Sequence, residues 1–138
     1  MTPSKQFSLR VDNDVFEALE RRARELGQTR TALAERYIDE GLRLAAHPLI
    51  WFRDGAAGRR PSIVGRRLDV WQVIETIRQN DNSVQDAAEY LATPLAHIEA
   101  CVAYYAEYQD EIDEWTARAN EVAHEAEAAW RRRQQLFA

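Results

Sequence analysis

The sequence predicts a mainly helical protein: one short amino-terminal strand that pairs across a dimer, two helices, a small winged-helix-like domain and a long carboxy-terminal helix. Three observations lead to this fold class. Residues 5–11 alternate polar and apolar side chains with the two-residue period of a strand. Apolar residues then recur at spacings of three and four, the period of amphipathic helices, along most of the remaining chain. Two short extended runs flank a turn at residues 54–61, which predicts a small hairpin.

The predicted strand at residues 5–11 has one apolar and one polar face. Its apolar side chains are Phe7, Leu9 and Val11, and its polar side chains are Gln6, Ser8 and Arg10. Because one strand cannot form a sheet, we expect it to pair with a second copy as an antiparallel ribbon. A two-stranded ribbon fits the DNA major groove, where such polar side chains hydrogen-bond base edges. The alternative is an ordinary strand face in contact with water.

Two helices are predicted after the strand. Asp12 or Asn13 is placed to cap the first helix, and Gly27 is placed to end it. Thr29 is placed to cap the second, which continues to Ala46. A unit of about forty residues buries too little surface to be stable alone, so its size also favours a dimer.

Residues 5–46 resemble the ribbon-helix-helix family of bacterial repressors and antitoxins, in which two chains share an antiparallel ribbon. The resemblance rests on the alternating strand and on the turn Gly-Gln-Thr-Arg-Thr at residues 27–31. It implies base reading by Gln6, Ser8 and Arg10, phosphate contacts by Thr29, Arg30 and Thr31, and a dimer core of Phe7, Leu9, Val11, Leu33, Tyr37, Ile38 and Gly41. A helix amino terminus also favours an anion on physical grounds. Glycine costs about 1 kcal/mol within a helix, so we expect close helix approach at Gly41 to compensate.

The second predicted domain spans residues 47–108. His47-Pro48 marks its start, Asp69 and Ser83 each cap a helix, and Thr93-Pro94 opens a third. The segment resembles the domain-of-unknown-function family 433, a small winged-helix-like domain found in VapB-like antitoxins. This resemblance rests on the opening at residues 47–50, the Gly-Arg segment, the Asp-Val-Trp helix start and the Tyr-Tyr to Asp-Glu exit. The arginines of the wing, which are Arg59, Arg60, Arg66 and Arg67, either contact phosphate or an acidic partner or are solvated loop charges.

Composition and motifs exclude several functional classes. The chain is 46% hydrophobic and 30% charged, and we expect a cytoplasmic protein without a membrane segment. Its one cysteine, Cys101, is expected to be a buried structural thiol, and no histidine pair has zinc-site spacing, so neither a metal nor another cofactor is expected. No catalytic or phosphate-binding motif occurs, and we therefore expect no enzymatic activity.

The charged residues are unevenly distributed along the chain. Acidic and basic residues are equal in number through Ala46, whereas Arg118 is the one basic residue among the acidic ones of residues 80–127. Only the segments before residue 80 are therefore expected to meet phosphates. The helix after Pro94 lacks Lys and Arg and is not expected to read DNA.

Residues 109–138 are predicted to form a helix with an alanine-rich seam. Trp115 and Trp130 are its aromatic anchors, and three arginines follow the second. The seam either packs on its own domain or on the other subunit, or it binds a partner protein. The resemblance implies that this segment binds a toxin through Trp115, Trp130, Arg131, Arg132 and Arg133. It further implies that one of the arginines enters the carboxylate-lined catalytic site of a PIN-domain ribonuclease.

The sequence therefore favours an antitoxin that neutralises a cognate protein toxin. We expect it to bind double-stranded operator DNA as a homodimer or a dimer of dimers and so to repress its own operon. The first alternative is a stand-alone repressor or plasmid-maintenance regulator whose carboxy-terminal domain serves only in oligomerisation. The second is an architectural scaffold without sequence-specific DNA contacts.

Overall fold

The computed structural model describes residues 3–138. Within this range the protein is mainly helical, with six α-helices and one two-stranded antiparallel sheet. The chain divides into two compact units, the first ending at Arg43 and the second spanning Leu44–Ala138. This division lies three residues before the boundary that the sequence predicts after Ala46. No helix in the described range combines the length and apolar character needed to cross a membrane.

The first unit contains helix α1, Asn13–Leu26, and most of helix α2, Arg30–Ala46. The predicted boundaries of both helices are confirmed. Asp12 occupies the N-cap of α1, and Gly27 ends the helix in the left-handed conformation with φ of +64°. The hydroxyl of Thr29 accepts a hydrogen bond from the Ala32 amide at 3.1 Å, which caps α2.

Residues 3–12 adopt no regular secondary structure in the single chain. The strand expected at residues 5–11 requires a second strand beside it, which is predicted to come from another copy of the chain. A single chain does not supply such a neighbour, so the ribbon stays a prediction.

The second unit begins with a hairpin of strands β1, Ile50–Arg53, and β2, Arg60–Ile63. The two strands pair antiparallel, with Phe52 opposite Pro61. The hairpin was predicted, but its second strand was expected only from Ser62 onwards. It begins earlier because both strands of a two-stranded sheet are edges, where proline is tolerated.

Four helices follow the hairpin: α3, Val70–Gln79; α4, Val84–Tyr90; α5, Leu95–Glu107; and α6, Gln109–Gln135. The predicted helix starts are confirmed. Asp69 is the N-cap of α3, and the Ser83 hydroxyl accepts a hydrogen bond from the Asp86 amide at 3.1 Å at the start of α4. The short loop after α4 passes through Ala92, whose φ of +50° is left-handed.

The core of the second unit lies between the hairpin and α3 to α6. Its buried apolar side chains are Ile50, Ile63, Val70, Val73, Ile74, Ile77, Ala87, Ile98, Cys101, Tyr104 and Ile112. Cys101 is fully buried, as the sequence predicts, and this burial raises the pKa of its thiol to about 12. The aromatic side chains of this segment are predicted from the sequence to lie in the core, but two of them, Trp51 and Tyr90, are exposed. Trp51 lies at an edge of the sheet and Tyr90 at the end of α4, and each faces away from the core.

Helix α6 was predicted to start a separate carboxy-terminal segment at residue 109. Its first turns instead contribute to the second unit, because Ile112 and Thr116 are buried against the preceding elements. From Glu121 onwards nearly all of its side chains are exposed. The helix is therefore anchored at one end, and its 27 residues extend for about 40 Å.

Candidate functional site

The first unit presents an unusually large apolar surface for its size. Among residues 3–43 only the side chains of Ala23 and Leu33 are buried. Phe7 is 70% exposed and Leu9 is 67% exposed. The other large apolar side chains that this unit exposes are Val11, Val15, Phe16, Tyr37, Ile38 and Leu42. A surface of this composition on so small a unit is typical of an interface with another protein chain.

These apolar side chains border two open grooves between the amino-terminal segment and the helices. One groove has a volume of about 600 Å³ and is lined by Leu9, Tyr37 and Ile38 among others. The second has a volume of about 520 Å³ and is lined by Phe7, Leu9 and Val11 with residues of α1 and α2. Five of the predicted dimer-core residues thus line these grooves: Phe7, Leu9, Val11, Tyr37 and Ile38. Leu33 is fully buried within the single chain, and Gly41 lines neither groove.

Gly41 lies on the exposed surface of α2, and a Cβ atom added there would have no neighbour within 4 Å. The single chain therefore gives no reason for glycine at this helical position, where it costs about 1 kcal/mol relative to alanine. Close approach of a second chain at Gly41 stays a prediction.

The side chains predicted to read bases, Gln6, Ser8 and Arg10, are exposed in the amino-terminal segment. Lys5 and Gln6 line the second groove beside Phe7. Polar and apolar side chains thus alternate along the same exposed segment that borders the grooves. The segment is accessible both to a second chain and to a nucleic acid.

The predicted phosphate-binding turn lies at the amino terminus of α2. Arg30 Nη1 forms an ion pair with Glu20 Oε1 at 2.8 Å, and the Arg30 guanidinium lies 4.6 Å from the centre of the Phe16 ring. Thr29 caps the helix, and Thr31 is exposed in its first turn. The turn therefore combines the unpaired amides of a helix start with a positioned arginine, an arrangement that favours binding of an anion. A phosphate there would compete with Glu20 for Arg30.

The second unit contains an ion-pair network that the sequence analysis did not identify. Arg53 Nη2 lies 2.7 Å from Asp69 Oδ1, and Arg60 Nε lies 2.6 Å from Asp69 Oδ2. The Ser62 hydroxyl donates to Asp69 Oδ1 at 2.6 Å, and the Trp71 indole donates to Oδ2 at 3.2 Å. The sequence indicated Asp69 only as a helix cap, whereas in the fold its carboxylate also joins α3 to the hairpin through Arg53, Arg60 and Ser62.

Asp69 is ionised in this network despite its burial. Desolvation by burial favours the neutral acid, but hydrogen bonds from Ser62, Arg53 and Arg60 outweigh it and lower the pKa of Asp69 below its usual value. Gly55 makes room for this arrangement, because a Cβ atom there would overlap the Arg60 guanidinium. The two arginines leave one positive charge in excess of the carboxylate.

The remaining wing arginines have different surroundings. Arg59 forms an ion pair with Asp54 at 3.1 Å, and Arg66 donates to the carbonyl oxygen of Ala92 and to Thr93 Oγ1, both at 3.2 Å. Arg67 is exposed. Arg60 and Arg66 therefore hold elements of the second unit together and are not solvated loop charges. Contact of these four arginines with phosphate or an acidic partner stays a prediction.

The residues predicted to bind a toxin are distributed along α6. Trp115 is half-buried near the anchored end, whereas Trp130 and the three arginines after it are exposed near the other end. Arg131 Nη2 forms an ion pair with Glu127 Oε1 at 2.6 Å. The two tryptophans therefore do not form one compact site within a single chain.

Histidines of the second unit do not assemble into a metal site. His47 Nε2 lies 2.8 Å from Glu107 Oε2 and its ring packs edge-on against Tyr104. His97 Nδ1 is buried without a hydrogen-bond partner. Within residues 3–138 no group of three or more His, Cys, Asp or Glu side chains is arranged to hold a metal ion.

Comparisons of the chain with protein-family models, with curated proteins and with solved structures find no match.

Proposed function

We propose that this protein is a DNA-binding homodimer that acts as a repressor, and that the amino-terminal unit forms both the dimer interface and the DNA-binding surface. The observation that carries the proposal is the exposed apolar surface of that unit, which includes Phe7, Leu9 and Val11. Pairing of two such segments would bury this surface. It would also place Gln6, Ser8 and Arg10 of both chains on the opposite, outward face of one ribbon.

The turn at the start of α2 supports the same proposal. Its first-turn amides and the positive end of the helix dipole favour a phosphate, and Arg30 is held beside them by Glu20 and Phe16. Phosphate contacts position a protein on the duplex, and base contacts supply sequence specificity. The proposed surface offers a candidate for each role.

An Arg10→Ala chain is expected to remain dimeric and to lose affinity for its operator at least about tenfold, because each arginine–guanine contact contributes about 1–3 kcal/mol of discrimination. The measurement is a binding titration with the DNA immediately upstream of the coding sequence, in the presence of unrelated competitor DNA. Arg21→Ala removes the same charge from an exposed position of α1 that is outside the predicted base-reading and phosphate-binding residues, and it serves as the control. Equal operator affinity for the Arg10→Ala and Arg21→Ala chains would contradict the base-reading assignment.

We further propose that the repressor is an antitoxin that neutralises a cognate toxin, with a PIN-domain ribonuclease as the favoured partner. This role follows from the resemblances described above, and the exposed end of α6 supports it. Trp130 and three adjacent arginines offer an aromatic anchor together with cations suited to a carboxylate-lined cavity. The test is co-purification with the product of the adjacent open reading frame.

Truncation after Glu127 is expected to weaken neutralisation of that toxin at least about tenfold and to leave operator binding unchanged. The truncation removes Trp130 and the arginine triplet, and loss of a buried aromatic anchor alone costs about 2 kcal/mol or more. Truncation after Gln135 removes only the last three residues and is the matched control. Undiminished toxin inhibition by the shorter chain would contradict the proposed contact.

The alternative is a stand-alone repressor or plasmid-maintenance regulator whose second unit serves only in oligomerisation. The charges of α6 favour it, since the helix is acidic in its first turns and basic in its last. Such a helix is electrostatically complementary to a reversed copy of itself. An operator-binding protein that does not bind its neighbour's product would support this alternative.

A further inference from the structure

A groove of about 530 Å³ lies between α6 and the hairpin of the second unit. We call it the α6 groove. Its α6 side consists of Trp115, Arg118, Ala119, Val122, Ala123 and Ala126. The opposite side includes Ala56, Ala57 and Trp71, beside the network of Arg53, Arg60 and Asp69. Val122 is 65% exposed. Small side chains along most of the groove let another helix approach closely, at an interaxial distance near 8 Å.

The charges of α6 are strongly divided along its length. Asp110, Glu111, Asp113 and Glu114 lie in its first two turns. Arg131, Arg132 and Arg133 lie near its other end, and all three side chains are exposed. Arg118 extends beside the α6 groove, whereas Glu125 and Glu127 lie further along the helix. The two ends of α6 therefore carry opposite charges.

We propose that the α6 groove receives helix α6 of a second copy of this chain, in antiparallel orientation. A two-fold axis near Val122 and Ala123 would place the arginine triplet of one copy opposite residues 110–114 of the other. The same axis brings Trp130 of one copy towards Trp115 of the other. A parallel arrangement would instead place the two arginine triplets side by side, so charge complementarity selects the antiparallel one.

The groove itself favours the same occupant. Arg53 and Arg60 exceed the charge of Asp69 by one at the groove. Arg118 also lines the groove, where it forms an ion pair with Glu114 Oε1 at 2.6 Å. The middle of α6, which would lie over this groove, carries Glu121, Glu125 and Glu127 on exposed positions. The axis also places Arg118 of one copy next to Glu125 and Glu127 of the other. Both the ends and the middle of the paired helices are thus electrostatically complementary.

This pairing goes beyond the proposed function, because it joins two copies through their second units and does not depend on the amino-terminal dimer. It is tested in the full chain carrying Phe7→Asp, which is designed to remove amino-terminal pairing. Sedimentation equilibrium of this chain is expected to show a reversible dimer. Adding Ala126→Arg, which places a long cation within the α6 groove, is expected to lower the association constant at least tenfold.

Ala117→Arg is the matched control for Ala126→Arg. Ala117 is exposed in the same helix but lies on the opposite face, outside the groove. The Phe7→Asp chain with Ala117→Arg added is expected to associate as strongly as the Phe7→Asp chain. Equal association of the Ala117→Arg and Ala126→Arg chains would overturn the proposal, as would a Phe7→Asp chain that stays monomeric.

A charge exchange tests the orientation. The chain carrying Arg131→Glu, Arg132→Glu and Arg133→Glu has the charge of its arginine triplet reversed. Its self-association is expected to be at least tenfold weaker. Adding Asp110→Arg, Asp113→Arg and Glu114→Arg to that chain is expected to restore association, because residues 110–114 then carry a net positive charge opposite the three glutamates. Failure of the second set to restore association would contradict antiparallel pairing. Operator binding by the wild-type protein is measured in parallel, so that failure of the α6 pairing and failure of the proposed DNA-binding function are distinguished.

Discussion

Phe7→Asp is expected to abolish the amino-terminal dimer, with a dissociation constant raised at least about a hundredfold. Burial of a phenylalanine side chain contributes about 1.5–3 kcal/mol, and a symmetric dimer loses this contribution twice. The substitution also places a carboxylate in an apolar interface. Since residues 3–43 bury only Ala23 and Leu33 within one chain, we further expect α1 and α2 to lose helical structure when the dimer dissociates.

The measurement is sedimentation equilibrium together with far-ultraviolet circular dichroism, in a chain that also carries Ala126→Arg to prevent pairing through α6. Ser8→Asp is the matched control, because it introduces the same charge on the other face of the same predicted strand. The control chain is expected to stay dimeric and to bind DNA poorly. A Phe7→Asp chain as dimeric and as helical as its parent would show that the exposed apolar surface is not the interface.

Asp69→Asn is expected to destabilise the second unit by about 3 kcal/mol. The substitution leaves the largely buried Arg53 and Arg60 without their carboxylate, and breaking a buried ion pair by removing one partner costs about 3–5 kcal/mol. The lower end of this range applies because both arginines retain some contact with water. All four tryptophans lie after residue 50, so tryptophan fluorescence during urea unfolding reports this unit alone.

The control is Asp54→Asn in the same hairpin. Asp54 pairs with Arg59 on the surface, and an exposed ion pair of this kind contributes at most about 1 kcal/mol. The Asp54→Asn chain is therefore expected to unfold close to the wild-type urea concentration. A small effect of Asp69→Asn, similar to that of the control, would mean that the network does not hold the hairpin to α3.

The network around Asp69 also makes the stability of the second unit depend on pH, and the direction of this dependence follows from the pKa of Asp69. The pKa of Asp69 is lowered in the folded protein, so its ionisation stabilises the fold at pH values above the unfolded-state pKa of about 3.9. This contribution is lost as the pH falls through the lowered folded-state pKa. The difference in unfolding free energy between wild type and Asp69→Asn should therefore be constant near neutral pH and shrink in acid. A difference that grows on acidification would contradict this assignment.

Toxin binding and self-pairing are expected to exclude each other if both proposals hold. Both use α6, and a toxin held by Trp130 and the arginine triplet would occupy the end of the helix that pairs with a second copy. We then expect the partner to convert the α6-paired form into a form joined only through the amino-terminal units. Sedimentation of the protein with and without its partner measures this conversion.

Much of the local structure could be predicted from the sequence. The caps at Thr29, Asp69 and Ser83, the helix end at Gly27 and the apolar periodicity all depend on residues within one or two helical turns, and the structure confirms them. The burial of Cys101 followed from the apolar positions around it. Predictions that concern a second chain or DNA, which include the ribbon and the base-reading residues, remain expectations because they depend on molecules outside the single chain.

The positions at which helices begin and end, and the faces of them that are apolar, follow from the amino-acid sequence, because hydrogen bonds and side-chain periodicity within a helix are local. The contact of Asp69 with Arg53 and Arg60 depends on the tertiary structure, since the hairpin register sets Arg53 opposite Arg60 and the chain then returns to place Asp69 beside Ser62. It also decided that α6 is buried at Ile112 and open at Val122, because the helix extends past the elements that cover its first turns. Burial and ion pairing depend on which distant segments meet, and the periodicity of a single segment does not contain that information.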